Sequence, residues 1–200
     1  MRYRSRHRSR HLALSPPPRR LLLRAVLGAV ASAPLAALAG FNFFTSEYTA
    51  TREELQAQIA KRFPVQQRYA EIFTVGLRDP RLGLDATTNR AAITAVLSIA
   101  SPLLQPSTVE GVVSISSALK YDAPARALRL DQPRAERLEL QGVTGRDAER
   151  LQRIGAMVAQ ELLRGQPLRT FTAEELTVGR KTYEIGDITV QQDGITVELK

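Results

Sequence analysis

Helical periodicity is strongest between Gly145 and Gly165, where apolar side chains recur on one wide arc at about 100° per residue. Thr144 stands where it can cap the first turn, and Asp147 follows three residues later, where the helix dipole favours an acid. Gly165 and then Pro167 are typical stop signals. An apolar arc this wide is typical of a helix covered from more than one direction. The pattern therefore predicts a long amphipathic helix against a curved sheet.

A shorter helix is predicted near the start of the body. Thr51 and Glu54 have the spacing of a capping box, and Pro64 ends the segment. Apolar residues follow the cap at helical spacing, namely Leu55, Ile59 and Phe63. Because this apolar face is narrow, we expect the helix to lie at the outside or the end of the sheet.

Apolar and polar residues alternate through most of the remaining chain, which predicts β-strands. The alternating segments are 69–77, 82–84, 91–100, 109–121, 128–130, 138–140, 183–190 and 195–199. Asp79-Pro80 is interpreted as a turn, Pro133 as an interruption, and Asp193-Gly194 as the turn of a final hairpin. Short turns between consecutive strands favour antiparallel pairing. The predicted class is α+β, with one sheet layer whose apolar face lies on the helices.

The charge of the chain is concentrated in its first residues. The 200 residues have a formal net charge of +8 and contain no cysteine. Residues 1–39 hold eight arginines and no acid, which leaves 20 of the 28 basic side chains against 20 acidic ones. The body is therefore neutral and lacks the basic footprint that nucleic-acid binding requires. Without cysteine, the body must be held together by its core alone.

Residues 1–39 have the three parts of an export signal: a basic stretch, an apolar run and a small-x-small cleavage site. Arg19 and Arg20 precede the apolar run, as in a twin-arginine signal, and Ala37 and Ala39 mark the cleavage site. An ordinary secretory signal is the alternative. Either kind predicts a periplasmic protein, with residues 40–200 as a single domain.

An uncleaved leader is a further alternative. Residues 25–44 form a charge-free run of about the length that crosses a bilayer. The run is rich in alanine and glycine and contains Pro34, so its transfer into lipid is weakly favourable. A signal anchor or a peripheral contact with the inner membrane therefore stays open.

The body lacks the side chains that most catalytic and metal sites use. His7 and His11, the two histidines, both lie in the leader, and there is no cysteine. This argues against Ser-His-Asp or Cys-His catalysis and against most zinc sites. Two carboxylate pairs, Asp79 with Asp85 and Glu174 with Glu175, could serve as acid and base, but surface acids are the default there. No phosphate loop or calcium loop is present, and we expect no enzyme, metal or cofactor.

One apolar surface is left as a candidate site. It combines strand residues with helix residues: Ile93, Leu97, Ile99, Val113, Ile115, Leu119, Leu128, Leu130, Leu151, Ile154, Gly155, Val158 and Leu162. Such a surface is first of all a core. Small residues nearby, such as Ala95, Ser117 and Ala159, could instead leave a cavity for an acyl chain, or could allow close packing.

Several local motifs resemble the YceB-like family of bacterial envelope lipoproteins. The motifs are Tyr48-Thr49-x-Thr51, Glu54-Leu55, Ile59-Ala60-Lys61, Tyr121-Asp122, Ala127-Leu128-x-Leu130, Gly165-Gln166-Pro167, Ile188-x-Val190 and Gly194-Ile195-x-Val197. Their order covers nearly the whole body. One departure is that family members carry a lipidated cysteine, whereas Leu38-Ala39-Gly40 is followed here by Phe41, which excludes lipidation at that place.

The resemblance implies a fold similar to half of a tubular lipid-binding (TULIP-like) domain. In such a fold a strongly twisted antiparallel sheet wraps around one long C-terminal helix, and a short N-terminal helix is added here. We therefore expect a periplasmic, non-enzymatic protein that binds a lipid or another long apolar molecule between helix and sheet. The alternative is an envelope interaction or assembly module with a filled core.

Overall fold

The structure is a computed structural model that describes residues 41–42, 46–178 and 180–200. The described chain is an α+β fold with two helices and three antiparallel sheets. Its elements in chain order are β1 (Phe41–Asn42), β2 (Glu47–Thr51), α1 (Arg52–Ala60), β3 (Val65–Tyr69), β4 (Phe73–Asp85), β5 (Arg90–Ala100), β6 (Thr108–Asp122), β7 (Ala127–Leu140), α2 (Gly145–Leu163), β8 (Pro167–Thr170), β9 (Thr177–Val178), β10 (Lys181–Thr182), β11 (Ile185–Val190) and β12 (Gly194–Leu199).

The largest sheet has six strands in the order β3-β4-β5-β6-β7-β8 and is strongly curled into a half-barrel. From β3 to β7 each strand pairs with the next one in the chain, as short connections predict. Strand β8 pairs with β7 after the chain has passed through α2. Burial alternates along β5 from one residue to the next. Ile93 is paired with Ile115 and both are buried, so the apolar side chains predicted to share a face do share the concave one.

Helix α2 confirms the predicted long helix, but its place in the chain is not C-terminal. It lies between β7 and β8, and the remaining strands follow it. Thr144 is the N-cap residue, yet its side chain makes no capping hydrogen bond. The predicted stop is confirmed, because Gly165 follows the last turn with φ +70°, a conformation that favours glycine. The helix packs on β3, β4, β5 and β7, within the curl of the sheet.

Two interruptions predicted from proline residues are wrong. Strand β4 continues through Asp79-Pro80 as a bulge, where the register with β5 shifts between Arg78 and Arg81. The side-chain amide of Gln56 in α1 fills this gap: Nε2 donates to the Pro80 carbonyl at 2.8 Å and Oε1 accepts from Leu82 N–H at 2.7 Å.

Strand β7 likewise runs past Pro133, and its register with β6 shifts there. Ser117 Oγ donates to the Asp131 carbonyl at 2.8 Å beside the shift. A proline in an inner strand is tolerated where the ladder is already irregular, since the missing N–H then breaks no regular bond.

The prediction of a single sheet layer is also wrong. A second sheet has the order β1-β2-β12-β11, and β9 pairs with β10 in the segment predicted as a connector. Asn89, in the turn between β4 and β5, joins the four-stranded sheet to the half-barrel: it donates to the Ile188 carbonyl at 3.0 Å and accepts from Val190 N–H at 2.6 Å. The first and last strands of the described residues therefore form a sheet that closes one end of the half-barrel.

Helix α1 confirms the predicted capping box, in which Thr51 and Glu54 each bond the other's backbone. Its buried residues are Leu55 and Ile59, and it packs on β4, β8 and the four-stranded sheet. In the described residues, neither helix combines the length and the apolar character needed to cross a membrane.

A largely buried ion pair fastens β8 to the segment after it. Arg169 donates to Glu175 at 2.6 Å and to the Tyr48 hydroxyl at 2.9 Å. The guanidinium lies 5.8 Å from the Tyr48 ring centre and 5.7 Å from that of Phe171. Burial raises the pKa of Tyr48; the positive charge of Arg169 opposes this rise and the negative charge of Glu175 adds to it. This cluster holds the six-stranded and four-stranded sheets together at β8 and β2.

Candidate ligand-binding site

The middle of the predicted groove is closely packed. Gly155 faces the sheet, and a Cβ placed there would lie 3.1 Å from Ile99 Cδ1, 3.2 Å from Leu138 Cδ2 and 3.4 Å from Leu97 Cδ2. These distances leave no room for a ligand between the helix and β5 at this level. The absence of a side chain at Gly155 serves close approach of the helix to the sheet.

The predicted lining residues all belong to the core or border it. Fully or nearly fully buried are Ile93, Leu97, Ile99, Val113, Ile115, Leu128, Leu130, Leu151, Gly155 and Val158. Leu119, Ile154 and Leu162 are half-buried and pack against that core. Two of the set also border open space: Leu151 near the start of α2 and Leu130 near its end.

A pocket of about 470 Å³ lies at the N-terminal end of α2. Ten residues line it: Ile72, Phe73, Leu103, Leu104, Gln105, Val109, Val143, Asp147, Arg150 and Leu151. Phe73, Val109 and Leu151 are buried and form its apolar floor. Ile72 is 41% exposed and Leu103 is 70% exposed at its rim.

Three loops bring these residues together. The β3–β4 turn places Ile72 beside Phe73 and contains Ala70 and Glu71, both with positive φ. The β5–β6 loop is folded back by a hydrogen bond of 2.8 Å from Ser101 N–H to the Ser107 carbonyl. The β7–α2 loop is attached to β6 through Gln141 N–H, which donates to the Glu110 carbonyl at 2.8 Å. The pocket is therefore built where the half-barrel ends and α2 begins.

The chemistry of the pocket suits an amphiphile. Its floor is apolar, whereas Gln105, Asp147 and Arg150 contribute polar groups and are exposed. Such a site can bury an apolar chain while a polar head stays near the solvent. Both charged residues are on the first two turns of α2, where Arg150 can pair with an anionic head group and Asp147 with a cationic one.

A second pocket, of about 370 Å³, lies at the C-terminal end of α2 and is more strongly charged. Arg129 donates to Asp122 Oδ2 and to the Gly165 carbonyl, at 2.7 Å in each case. The Arg129 guanidinium, followed by the Ala125 N–H, lowers the pKa of Asp122 below its usual range. Five of its ten lining residues are charged, namely Lys120, Asp122, Arg129, Asp131 and Arg164, so a ligand there would lie against five charged side chains.

A third pocket, of about 360 Å³, is shallow and lies where β7 meets α2. Glu136, Arg137, Glu149 and Arg153 are among its lining residues. A depression bordered by this many exposed charges resembles ordinary solvated surface.

The carboxylates considered for catalysis have separate partners. Asp79 pairs with Arg78 at 2.6 Å, while Asp85 accepts from Thr87 and Thr88 in a turn, which lowers the pKa of Asp85. Glu175 bonds Arg169, and Glu174 is exposed. Within the described residues there is also no group of three or more potential metal ligands among His, Cys, Asp and Glu.

Sequence reasoning missed most of the first pocket. Of its lining residues, only Leu151 is among the sequence-predicted candidates. Five others lie in loops that carry no periodicity, namely Ile72, Leu103, Leu104, Gln105 and Val143, while Phe73, Val109, Asp147 and Arg150 lie near the starts of β4, β6 and α2. One local signal was present: Leu103 and Leu104 stand between Pro102 and Pro106, and two leucines in a proline-bounded loop are not explained by a strand or a helix. The export-signal residues Arg19, Arg20, Ala37 and Ala39 lie outside the described residues.

No protein-family model matches this chain, and a search of curated proteins finds no match to it.

Proposed function

We propose that this chain is a periplasmic, non-enzymatic protein that binds a lipid or another long apolar amphiphile at the N-terminal end of α2. The observation that carries the proposal is the pocket of about 470 Å³, with Phe73, Val109 and Leu151 as its floor. Its volume lies in the range of small-molecule sites, which is about 300–1,000 Å³.

The ligand is placed at the end of the helix rather than along its middle. Close packing around Gly155 fills the groove that the sequence predicts between helix and sheet. The pocket at the N-terminal end of α2 is open to solvent between three loops. An acyl chain would cover the apolar floor, and Gln105 and Arg150 would face its head group. Burying the chain would supply about 0.8 kcal/mol for each CH₂ removed from water.

Two sequence features support the cellular setting. Residues 1–39 have the form of an export signal, with Arg19 and Arg20 before the apolar run. The order of motifs from Tyr48 to Val197 resembles the YceB-like envelope family, and a half-TULIP-like fold would suit a curled sheet around a helix. A periplasmic protein, either free or held at the inner membrane by its leader, would meet lipids directly.

Native mass spectrometry tests the proposal. The full chain, purified without detergent from the envelope of the cells that make it, is expected to carry one bound amphiphile. After removal of that ligand, it should bind fluorescently labelled palmitate saturably, with one site per chain. A chain that carries no such ligand and does not bind the labelled palmitate would contradict the proposal.

Two tryptophan substitutions locate the site. Val143→Trp places a large ring at the rim of the pocket and should weaken palmitate binding about tenfold, because the ring competes for the apolar floor. Ala156→Trp, in the shallow depression between β7 and α2, is the matched control and should leave the affinity unchanged. Equal effects of the two substitutions would argue against this pocket.

A second candidate function is an interaction or assembly module of the envelope. It is favoured by the filled interface at Gly155 together with the exposure of Leu103 and Ile72. This function requires no bound lipid, so a ligand-free chain that forms a stable complex through the same end would select it.

A further inference from the structure

The three loops at the end of the half-barrel that holds the pocket carry few charges. They are residues 69–73, 101–108 and 141–145, and these 18 residues contain one charged side chain, Glu71; Asp147 and Arg150, at the start of α2, add two charges at the border of the pocket. At the opposite end of the same sheet, residues 85–90 and 122–126 contain four charged side chains among 11. The loops at the two ends of the half-barrel therefore differ in their density of charged side chains.

The end that holds the pocket also carries three of the five exposed large apolar side chains of the described residues. The described residues that are large, apolar and exposed are Tyr69, Ile72, Leu103, Val112 and Met157. Tyr69 and Ile72 stand at the tip of the β3–β4 hairpin, and Leu103, 70% exposed, stands in the proline-bounded β5–β6 loop. Ile72 and Leu103 border the same pocket, so these tips are neighbours.

We infer that this end of the domain docks on a lipid bilayer, with Leu103 and Ile72 inserted and Tyr69 at the interface. Isolated apolar side chains on projecting tips suit a fluid, deformable partner, whereas a protein partner is usually met by a packed and continuous patch. Tyrosine is enriched at the level of lipid head groups. Two charged residues of α2 border the pocket, Asp147 and, about one turn after it, Arg150. Arg150 can bind a lipid phosphate.

Docking of this kind goes beyond the proposed ligand binding and does not require an occupied pocket. It would bring the mouth of the pocket to the lipid phase, because Ile72 and Leu103 border both the pocket and the exposed end. A lipid could then pass between bilayer and pocket without crossing water.

The absence of native cysteine allows a site-specific test on the full chain. Leu103→Cys is labelled with an environment-sensitive fluorophore and mixed with phosphatidylcholine–phosphatidylglycerol vesicles that contain nitroxide-labelled lipids. The emission should shift to the blue and be quenched by the nitroxide. Met157→Cys, at an exposed position of α2 outside the three loops, is the control and should show neither change, even if the leader itself binds the vesicles.

A second comparison tests whether Leu103 drives the insertion. A label at Ile72→Cys is followed in chains with Leu103 or with Leu103→Asp, after circular dichroism has shown that both are folded. The aspartate should weaken the vesicle-dependent quenching about tenfold, since it puts a charge in place of the leucine that would enter the bilayer. No quenching at position 103, or equal quenching at positions 103 and 157, would overturn the inference. A blue shift that depends on protein concentration without vesicles would also overturn it, by assigning this surface to a second copy of the chain.

Discussion

At the scale of the residue, single side chains replace backbone hydrogen bonds where a strand leaves the regular ladder. Gln56 bonds both sides of the bulge in β4 through Pro80 and Leu82. The bulge is thereby tied to α1, which precedes β4 in the chain and packs on it. Without this side chain, two partly buried backbone groups would have no hydrogen-bond partner, which would cost free energy of folding.

Replacing Gln56 by leucine should therefore lower the free energy of unfolding by about 1–3 kcal/mol. The substitution keeps the size and helix propensity but leaves Leu82 N–H and the Pro80 carbonyl without partners. Urea unfolding followed by circular dichroism measures the change. Gln58→Leu, in the same helix, is the control and should change the stability by less than about 0.5 kcal/mol. Equal losses in both variants would mean that Gln56 does not support the bulge.

Asp122 makes stability depend on pH in the acid range. The hydrogen bond from Arg129 lowers the pKa of Asp122 in the folded chain. Because the pKa of Asp122 is lower in the folded chain than in the unfolded chain, its charge stabilises the fold at pH values above the unfolded pKa. This contribution is lost as the pH falls through the folded pKa. Asp122→Asn should therefore lower the melting temperature at neutral pH and should flatten its decrease below about pH 4.

Thermal unfolding at a series of pH values measures this dependence. Asp131→Asn is the control, because none of the described hydrogen bonds ends on its carboxylate. If wild type and Asp122→Asn lose stability in parallel on acidification, the pair of Asp122 and Arg129 does not contribute as described.

At the scale of the element, α2 is a packed core helix over its middle and a wall of open space at its ends. Gly155 lies within 3.4 Å, through an added Cβ, of three side chains on β5 and β7. Leu151 and Gly165, by contrast, border the pockets at either end. The apolar arc of α2 thus serves as a filled core in its middle and as the wall of a pocket at its ends.

Gly155→Leu tests the packing at the middle of α2. Four added carbon atoms would have to displace Ile99, Leu97 or Leu138, and we expect a loss of about 1–3 kcal/mol in the free energy of unfolding. Ala156→Leu, whose neighbour is the shallow pocket, should be tolerated within about 0.5 kcal/mol. A stable Gly155→Leu protein would mean that space exists between helix and sheet after all.

Elements specified by local signals could be predicted from the sequence, and those specified by distant pairing could not. The capping box of Thr51 and Glu54 and the stop at Gly165 act within one turn, so both predictions hold. Asp79-Pro80 and Pro133 also look like local stops, but pairing on both sides carries the strands through them. Strand β8 has only four residues, and pairing with β7 rather than its own pattern defines it.

At the scale of the whole molecule, the half-barrel that the structure describes has a closed end and an open one. The four-stranded sheet, α1 and the cluster around Arg169 cover the half-barrel on one side. The end pocket opens between the tips of the β3–β4, β5–β6 and β7–α2 connections. The core could be predicted from the alternation of apolar and polar residues, because every second residue along strands such as β5 is buried. The pocket could not, since it depends on how three loops distant in sequence meet.

The most direct test of this account is to locate the bound ligand by amide NMR during a titration of the ligand-free full chain with palmitate. The account predicts that chemical-shift changes concentrate at residues 72–73, 103–109, 143 and 147–151, which surround the end pocket. Changes centred on Gly155 and Leu97, or on the charged pocket near Arg129, would contradict the proposed site, and a titration without any change would contradict the proposed function.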